Sequence, residues 1–461
     1  METYLEKLLS QIRCTKARPY IEEEIRNHME CQIEDNITKG MSYEEAERNA
    51  VKDMGDPVEV GVALDRIHKP RIAWKLMIIV GILSLLGIGV QISILTQKDY
   101  FRLEPYMQES FKLYTEAFVQ YVIIGFVIMC GILLIDYTMI AKYAKAIGFF
   151  IIAMGVIVLT GFFGADINGV RKTIGFGALR ISTQTFMTLM VPIYGAILYQ
   201  YRGGGFGKLL KALLWLVVPI WITFRIPNIV SAYIMLMSML VQLTVAIRKG
   251  WFRLPIKKTI AFLWTACILF PFTSLLVMYT FGWLKTYQTE RIHSFFTAYG
   301  DGNYLTSMLR KFGKNIALFG KSGNDVIGTL PEINRDYVFT YILNSYGLFA
   351  GMLVVAVLSI LLLYVFSSVR RQKNELGMVM GFGCGMILVL NTVINLLQTM
   401  GMIPIASSFL PFLSIGRDNV CLCYALMGIV MSIYRYKDVF PAQGPLSSGN
   451  ASHGATRAAR T

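Results

Sequence analysis

This chain contains about ten successive runs of mostly apolar residues, each close to the length of about 20 residues that a helix needs to cross a bilayer. The runs are centred near Val80, Phe126, Ile152, Pro192, Leu216, Met235, Ala266, Val354, Gly385 and Leu426. Hydrophobic residues make up 55% of the 461 residues and charged residues only 16%, a balance unlike that of soluble domains. Because a run in lipid must satisfy its own backbone hydrogen bonds, the sequence predicts an all-α polytopic membrane protein with about ten transmembrane helices. Counts of about nine or eleven stay open, since the run near Leu216 is short and the next begins directly after Pro227.

Lys and Arg residues are concentrated in alternate loops between the runs. These loops carry Lys142 and Lys145; Arg202, Lys208 and Lys211; Arg248, Lys249, Arg253, Lys257 and Lys258; and Arg370, Arg371 and Lys373. Because loop cations stay preferentially in the cytoplasm, these loops are predicted to be cytoplasmic, and an even number of spans places both termini there. The net charge of +15 is then mainly a topology signal, and no nucleic-acid partner is expected. The predicted location is therefore a membrane that the chain crosses several times.

Residues 1–68 precede the first run and are predicted to form a small soluble helical domain on the cytoplasmic side. Its apolar residues Tyr4, Leu5, Leu8, Leu9 and Ile12 recur at helical spacing. Ser42 followed by Glu45 is a capping-box pattern, and Gly55-Asp56-Pro57 ends that helix before a fourth, amphipathic one. The segment GMSYEEAERNAVKDMGDP resembles a helical prefix domain found ahead of various bacterial membrane proteins, permeases included. That resemblance names no activity and is consistent with a tether or a partner-docking module.

The membrane domain is predicted to extend over residues 69–440, with one large outer loop at 284–336. Residues 441–461 are rich in Gly, Ser, Ala and Pro, a composition typical of a disordered tail. The large loop brings Asp301, Glu332 and Asp336 to the outer membrane surface. A partly desolvated carboxylate beside cations can act as a general base toward a sugar hydroxyl, although Gly300-Asp301-Gly302 is also a good turn sequence.

Cations on the predicted outer face are candidates for binding a phosphate group. Arg171, Lys172 and Arg180 flank the loop before the fourth run, and Arg291 lies in the large loop. Arginine offers a bidentate fork to phosphate and lysine a point charge, but solvated loop residues would give the same pattern. The seven cysteines and four histidines show no metal-ligand spacing, so no metal site or cofactor is expected.

Four blocks of this sequence resemble the FtsW/RodA/SpoVE (SEDS) family of bacterial cell-cycle and cell-wall membrane proteins. They are NGVRKTIGFGALRIS from Asn168, YQTERIHSFFTAYGD from Tyr287, LPEINRDYVFTYILNSYG from Leu330, and INLLQTMGMIPIASSFLPFLSIGRDN from Ile394. The blocks occur in the order and membrane context of the family and span about 250 residues, most of the membrane domain.

The resemblance implies a ten-span glycosyltransferase of a bacterial plasma membrane that polymerises lipid II together with a class B penicillin-binding protein and other cell-wall proteins. Asp301 matches the catalytic aspartate of the second block and would deprotonate the acceptor sugar hydroxyl. Arg171, Lys172, Arg180 or Arg291 would stabilise the leaving pyrophosphate, and a divalent cation could accompany it. Glu332 and Asp336 match acidic positions of the third block, where they would orient the loop or pair with cations.

This sequence also departs from the family blocks. The family's P-S-E-x-x-K reads Thr183, Gln184, Thr185 and Thr188 here, Thr173 replaces a Trp, Asn344 or Ser345 replaces an acid, and Gly416-Arg417 replaces a glycine pair. Three alternatives to an active polymerase therefore stay open: a non-catalytic scaffold of wall synthesis, a flippase for a lipid-linked precursor, and a different lipid-linked sugar transferase. A flippase would be expected to carry more polar residues within its spans than Asp136, Gln242 and Gln398.

Overall fold

The computed structural model describes residues 1–160, 164–167, 170–176, 179–225, 229–282, 304–403 and 408–439. Four helices precede the membrane domain: α1 Glu2–Ser10, α2 Arg18–Thr38, α3 Tyr43–Asp53 and α4 Pro57–His68. The helices predicted in this segment are thereby confirmed. The capping box is confirmed as well, since the Ser42 hydroxyl accepts from the Glu45 N–H and the Glu45 carboxylate accepts from the Ser42 N–H, each at 3.4 Å.

The remaining helices form the membrane domain. They are α5 Trp74–Thr96, α6 Pro105–Leu134, α7 Tyr137–Lys142, α8 Ala144–Thr160, α9 Thr183–Thr188, α10 Met190–Gln200, α11 Phe206–Arg225, α12 Ile229–Arg248, α13 Ile256–Thr280, α14 Tyr304–Lys314, α15 Val338–Tyr346, α16 Leu348–Arg370, α17 Glu375–Thr399 and α18 Arg417–Arg435. Among the described residues, the six helices α5, α6, α11, α12, α16 and α17 are long and apolar enough to cross a membrane. Each of the ten run centres also lies inside a helix. The predicted all-α polytopic class is confirmed.

The fourth predicted run is divided between two helices. α9 ends at Thr188 and α10 begins at Met190, with Leu189 between them. Pro192 lies in the first turn of α10, where its missing N–H leaves the Thr188 carbonyl without an i+4 donor. The break places the short helix α9 at the predicted outer end of the bundle, beside the loop that precedes it.

That preceding loop folds into a small antiparallel sheet that the sequence pattern did not predict. Its strands are β1 Gly164–Ile167, β2 Val170–Phe176 and β3 Leu179–Ser182, in the order β1-β2-β3. The register pairs Gly175 with Arg180 and Thr173 with Ser182. β3 leads directly into α9, so the sheet is joined to the start of the fourth span.

Helices α6 and α18 pack tightly along much of their length. A Cβ on Gly125 of α6 would lie 2.2 Å from the Tyr424 ring, and one on Gly428 of α18 would lie 2.9 Å from Ile132. Small residues at such contacts let two membrane helices approach closely. At their C-terminal ends the Ser432 hydroxyl donates to the Ile135 carbonyl at 2.6 Å. The pair therefore forms one continuous element from the predicted outer face to the predicted cytoplasmic face.

The N-terminal helices contact the C-terminal ends of this pair. Lys16 Nζ lies 3.1 Å from the Asp136 carboxylate, which is 5% exposed, and 4.9 Å from the centre of the Tyr436 ring. The His68 ring is 2.8 Å from the Asp438 carbonyl, and Arg71 N–H donates to the Arg435 carbonyl at 3.0 Å. Segment 1–68 is thus packed against the predicted cytoplasmic face, beneath the two helices that line the site described next.

Candidate active site

A cavity of about 540 Å³ lies at the opposite end of the α6–α18 pair, on the predicted outer face. Its walls come from the first half of α6, the start of α9, the turn at 331–336, the segment 408–416 and the start of α18. The polar residues that line it include Ser110, Ser182, Gln184, Thr185, Glu332, Asn334, Arg335, Asp336, Ser408, Arg417, Asp418 and Asn419. This outer cavity brings together residues that are more than two hundred positions apart in the sequence.

Asp336 is the most deeply desolvated carboxylate of the outer cavity, with its side chain 19% exposed. Burial raises the pKa of the Asp336 carboxyl from 3.8 to about 7, because the ionised form loses solvation; nearby Arg335 lowers this pKa and Glu332 raises it. Arg335 lies 3.9 Å from Asp336 and 3.6 Å from Glu332. A carboxyl with a pKa near 7 can give or take a proton at neutral pH.

The backbone around Asp336 is held by two buried amide side chains. The Asn395 side chain donates to the carbonyls of Asp336 and Ser408, at 3.0 and 3.2 Å. The Gln91 side chain donates to the carbonyls of Asn334 and Leu413, at 3.0 and 2.9 Å. These amides tie the turn at 331–336 to the segment 408–416, so the cavity wall is built from both. Neither amide was predicted from the sequence as a site residue, although a polar residue inside an apolar run is costly and can therefore indicate a functional site.

Arg417 and Asp418 form another part of the cavity wall, at the start of α18. Arg417 Nε donates to the Asp418 carboxylate at 3.2 Å, and the second Asp418 oxygen accepts from the Ser182 N–H at 2.7 Å. Asp418 therefore fastens the end of β3 to the cavity. In the sequence, Arg417 stands out only as a departure from the family block, because its local pattern does not show which residues it contacts.

The predicted site residues fall into three groups. Glu332 and Asp336 line the outer cavity together, as neighbours on one turn. Arg171 and Lys172 lie on β2 and Arg180 on β3, in the sheet that ends at the cavity residue Ser182. Asp301 and Arg291 lie outside the described residues, as do 284–303 of the predicted large loop and the predicted tail at 441–461.

A second cavity, of about 770 Å³, lies between α14, α15, α16 and α17. Its lining is largely apolar, including Phe339, Leu343 and Val355, with Arg310 and Lys314 also contributing. Phe339 follows Asp336 by three residues, so one short segment contributes to both cavities. Within the part of the chain that the structure describes, no group of three or more His, Cys, Asp or Glu residues could hold a metal ion.

The helices and the polar outer cavity define a multi-pass membrane protein with a candidate active site at one membrane surface. The sequence profile of the FtsW/RodA/SpoVE cell cycle proteins matches residues 74–439, and the chain belongs to that family. The segment before residue 74 lies outside this match.

Two relatives illustrate the similarity in sequence. Both are described as probable peptidoglycan glycosyltransferase FtsW. The protein from Coxiella burnetii is 25% identical over 307 residues, covering 63% of this chain and 77% of its own. The protein from Wigglesworthia glossinidia brevipalpis is 21% identical over 366 residues, covering 77% of this chain and 89% of its own.

Two solved structures share the fold. A chain from a study of how a peptidoglycan synthase complex coordinates polymerization and crosslinking matches with a TM-score of 0.63 and 17% identity, over 79% of this chain and 98% of that one. The rod shape determining protein RodA of Thermus thermophilus matches with a TM-score of 0.55 and 16% identity, over 79% of this chain and 97% of that one.

Proposed function

We propose that this protein is a peptidoglycan glycosyltransferase that polymerises lipid II at the outer face of a bacterial plasma membrane, with both termini in the cytoplasm. Family membership and the names of the relatives support the reaction class. The observation that carries the proposal is the outer cavity, in which the largely desolvated carboxyl of Asp336 lies beside Arg335, and which Arg417 also lines. Such a site offers proton exchange and positive charge to one polar substrate.

In the proposed reaction, the acceptor sugar hydroxyl attacks the anomeric carbon of the donor. A bond forms between that oxygen and the anomeric carbon, the bond from the carbon to the pyrophosphate oxygen breaks, and the hydroxyl proton passes to a base. By the family resemblance, Asp301 is the proposed base. Arg171, Lys172, Arg180 and Arg291 are proposed to stabilise the negative charge that develops on the pyrophosphate, with or without a divalent cation.

Glu332 and Asp336 are proposed to shape the cavity wall. Arg335 lies within 4 Å of both carboxylates, at 3.6 and 3.9 Å, which supports a role in ordering this turn. Glu332 adopts a φ of 50°, a backbone conformation that non-glycine residues rarely adopt. The turn is therefore held in a specific shape by its ion pairs and by the Asn395 amide.

The two cavities suit an amphipathic substrate. A polar cavity and a largely apolar cavity lie next to each other along the segment from Asp336 to Phe339. A lipid-linked sugar needs a polar site for its head group and an apolar surface for its chain, so this arrangement supports a lipid-linked substrate.

We also propose a class B penicillin-binding protein as a partner, since a chain of similar fold was solved in a complex that couples polymerization with crosslinking.

The test is polymerisation of lipid II by the purified protein, alone and with its class B penicillin-binding protein. Wild type is expected to form glycan polymer and Asp301→Ala to form none, because the proposed base is removed. Glu109→Ala is the matched control, since Glu109 is an exposed acid of α6 that does not line the outer cavity. Equal polymerisation by Asp301→Ala and wild type would remove the proposed base. No polymer from wild type with any partner would refute the reaction.

A non-catalytic scaffold is the second candidate. The observation that favours it is that Gln184 and Thr185 line the outer cavity at positions where the family pattern is Ser followed by Glu. A scaffold would support growth of a depletion strain even with Asp301→Ala in place. Failure of that variant to support growth, at normal protein level, would count against the scaffold.

A further inference from the structure

Arg417 is a cavity cation that the family pattern does not contain. We propose that Arg417 binds the pyrophosphate group of the lipid-linked donor in the outer cavity, a role that rests on the proposed function. A glycine stands at this position of the family block, so the proposed interaction is not part of the family pattern. Glycine could contribute only backbone groups there.

The guanidinium of Arg417 carries more N–H donors than its hydrogen bond to Asp418 uses. Its side chain is 39% exposed and lines the outer cavity, and its Nε donates to Asp418 at 3.2 Å. A guanidinium carries five N–H donors. Within the described part of the chain, no acceptor is found for the four N–H groups on its terminal nitrogens. These four donors form the planar fork that binds phosphate oxygens in pairs.

Arg335, the other arginine of the cavity, is in a different electrostatic position. It lies between two carboxylates, Glu332 at 3.6 Å and Asp336 at 3.9 Å. Among the described residues, Asp418 is the one carboxylate found to pair with Arg417, and it already accepts a hydrogen bond from the Ser182 backbone. Arg417 also lies in the first turn of α18, where the helix dipole adds partial positive charge. The α18 wall is therefore the more favourable side for an anion.

The charged residues around this cavity also differ from those of the family pattern. That pattern has an acid at 185 and a base at 188, and this chain has Thr185 and Thr188 instead. Thr185 and Arg417 line the same cavity. Loss of the acid removes repulsion toward a phosphate, and Arg417 supplies a cation from the start of α18. A pyrophosphate can thus be bound in this cavity without the cation of the fourth span.

The experiment compares Arg417→Gln, Arg417→Lys and the control Arg102→Gln. Glutamine keeps an N–H donor for Asp418 but has no charge, and lysine keeps the charge but loses the fork. Arg102 is an arginine in an ion pair with Asp99 at 3.7 Å, is 75% exposed, and does not line the outer cavity. Binding of undecaprenyl pyrophosphate, undecaprenyl phosphate and undecaprenol is measured on detergent-solubilised protein, along with kcat and KM for lipid II.

Arg417→Gln is expected to weaken binding of undecaprenyl pyrophosphate by about 10- to 100-fold, the effect of losing charge-assisted hydrogen bonds. Binding of undecaprenol by Arg417→Gln is expected to stay unchanged. For undecaprenyl pyrophosphate, the affinity of Arg417→Lys is expected to lie between those of wild type and Arg417→Gln, and the affinity of Arg102→Gln to match wild type. The proposal would be overturned if Arg417→Gln bound undecaprenyl pyrophosphate as tightly as wild type. It would also be overturned if the variant lost affinity for undecaprenol to the same extent, because a purely structural role of Arg417 would give one of these results. If wild type forms no polymer but Arg417→Gln still loses pyrophosphate binding, the proposed function fails and the binding site stands.

Discussion

Replacing Asp336 with Asn tests whether burial of this carboxyl controls the stability of the outer cavity. Asn has the shape of the protonated acid and cannot ionise. The pKa of Asp336 is about 7 in the folded protein and 3.8 without its surroundings. Between these values the folded state holds one proton more than the unfolded state, so the stability of wild type falls as pH rises from about 4 to about 7 and is level above that. Asp336→Asn lacks this dependence.

The magnitude follows from the difference between the two pKa values. A difference of about three pKa units corresponds to about 4 kcal/mol at most, at about 1.4 kcal/mol for each unit. The interval from pH 5.5 to pH 8.5 includes about half of the pH range between the two pKa values of Asp336. We therefore expect the free energy of unfolding of wild type to drop by about 2 kcal/mol relative to Asp336→Asn over this interval.

The assay is unfolding by denaturant in detergent micelles, followed by fluorescence of the six tryptophans, at several pH values. Glu332→Gln is the matched control, because Glu332 lies on the same turn, contacts the same Arg335 and is 57% exposed. Its stability difference from wild type is expected to vary much less with pH. The reasoning would be refuted if the stability difference between wild type and Asp336→Asn did not change from pH 5.5 to 8.5. It would also be refuted if the difference between wild type and Glu332→Gln changed with pH by as much as the difference between wild type and Asp336→Asn.

Two further predictions concern the α6–α18 pair. Lys16→Met is expected to destabilise the protein by about 1–3 kcal/mol, because it leaves the 5% exposed carboxylate of Asp136 without its cation. In a double-mutant cycle, adding Asp136→Asn should recover most of this loss, and additive losses would contradict the pairing. Gly125→Ala is expected to destabilise the protein by about 1–3 kcal/mol, because its Cβ would lie 2.2 Å from the Tyr424 ring. On the same helix, a Cβ at Gly131 meets no atom within 4 Å, so Gly131→Ala should be neutral or slightly stabilising, and equal thermal midpoints for the two variants would disprove the close contact.

The local features of this chain could be predicted because their causes are local. Each apolar run satisfies its backbone hydrogen bonds within itself, so the run centred near Val80 predicts a helix, Trp74–Thr96, without knowledge of its neighbours. The capping box at Ser42 and Glu45 likewise spans a single turn. Glu332 and Asp336 could be predicted to lie together for the same reason, since they belong to one short block, and both line the outer cavity.

The composition of the outer cavity was decided by the tertiary structure. Thr185, Asp336 and Arg417 come from three distant segments, and no spacing rule joins them. Gln91 and Asn395 hold the cavity wall through backbone carbonyls, which are the same in every residue and leave no trace in the sequence. The sheet that carries Arg171 and Arg180 depends on pairing between its own strands and on the bond from Asp418 to Ser182. Helices in lipid follow from local apolar length, whereas a polar site between them depends on which faces meet when the helices pack.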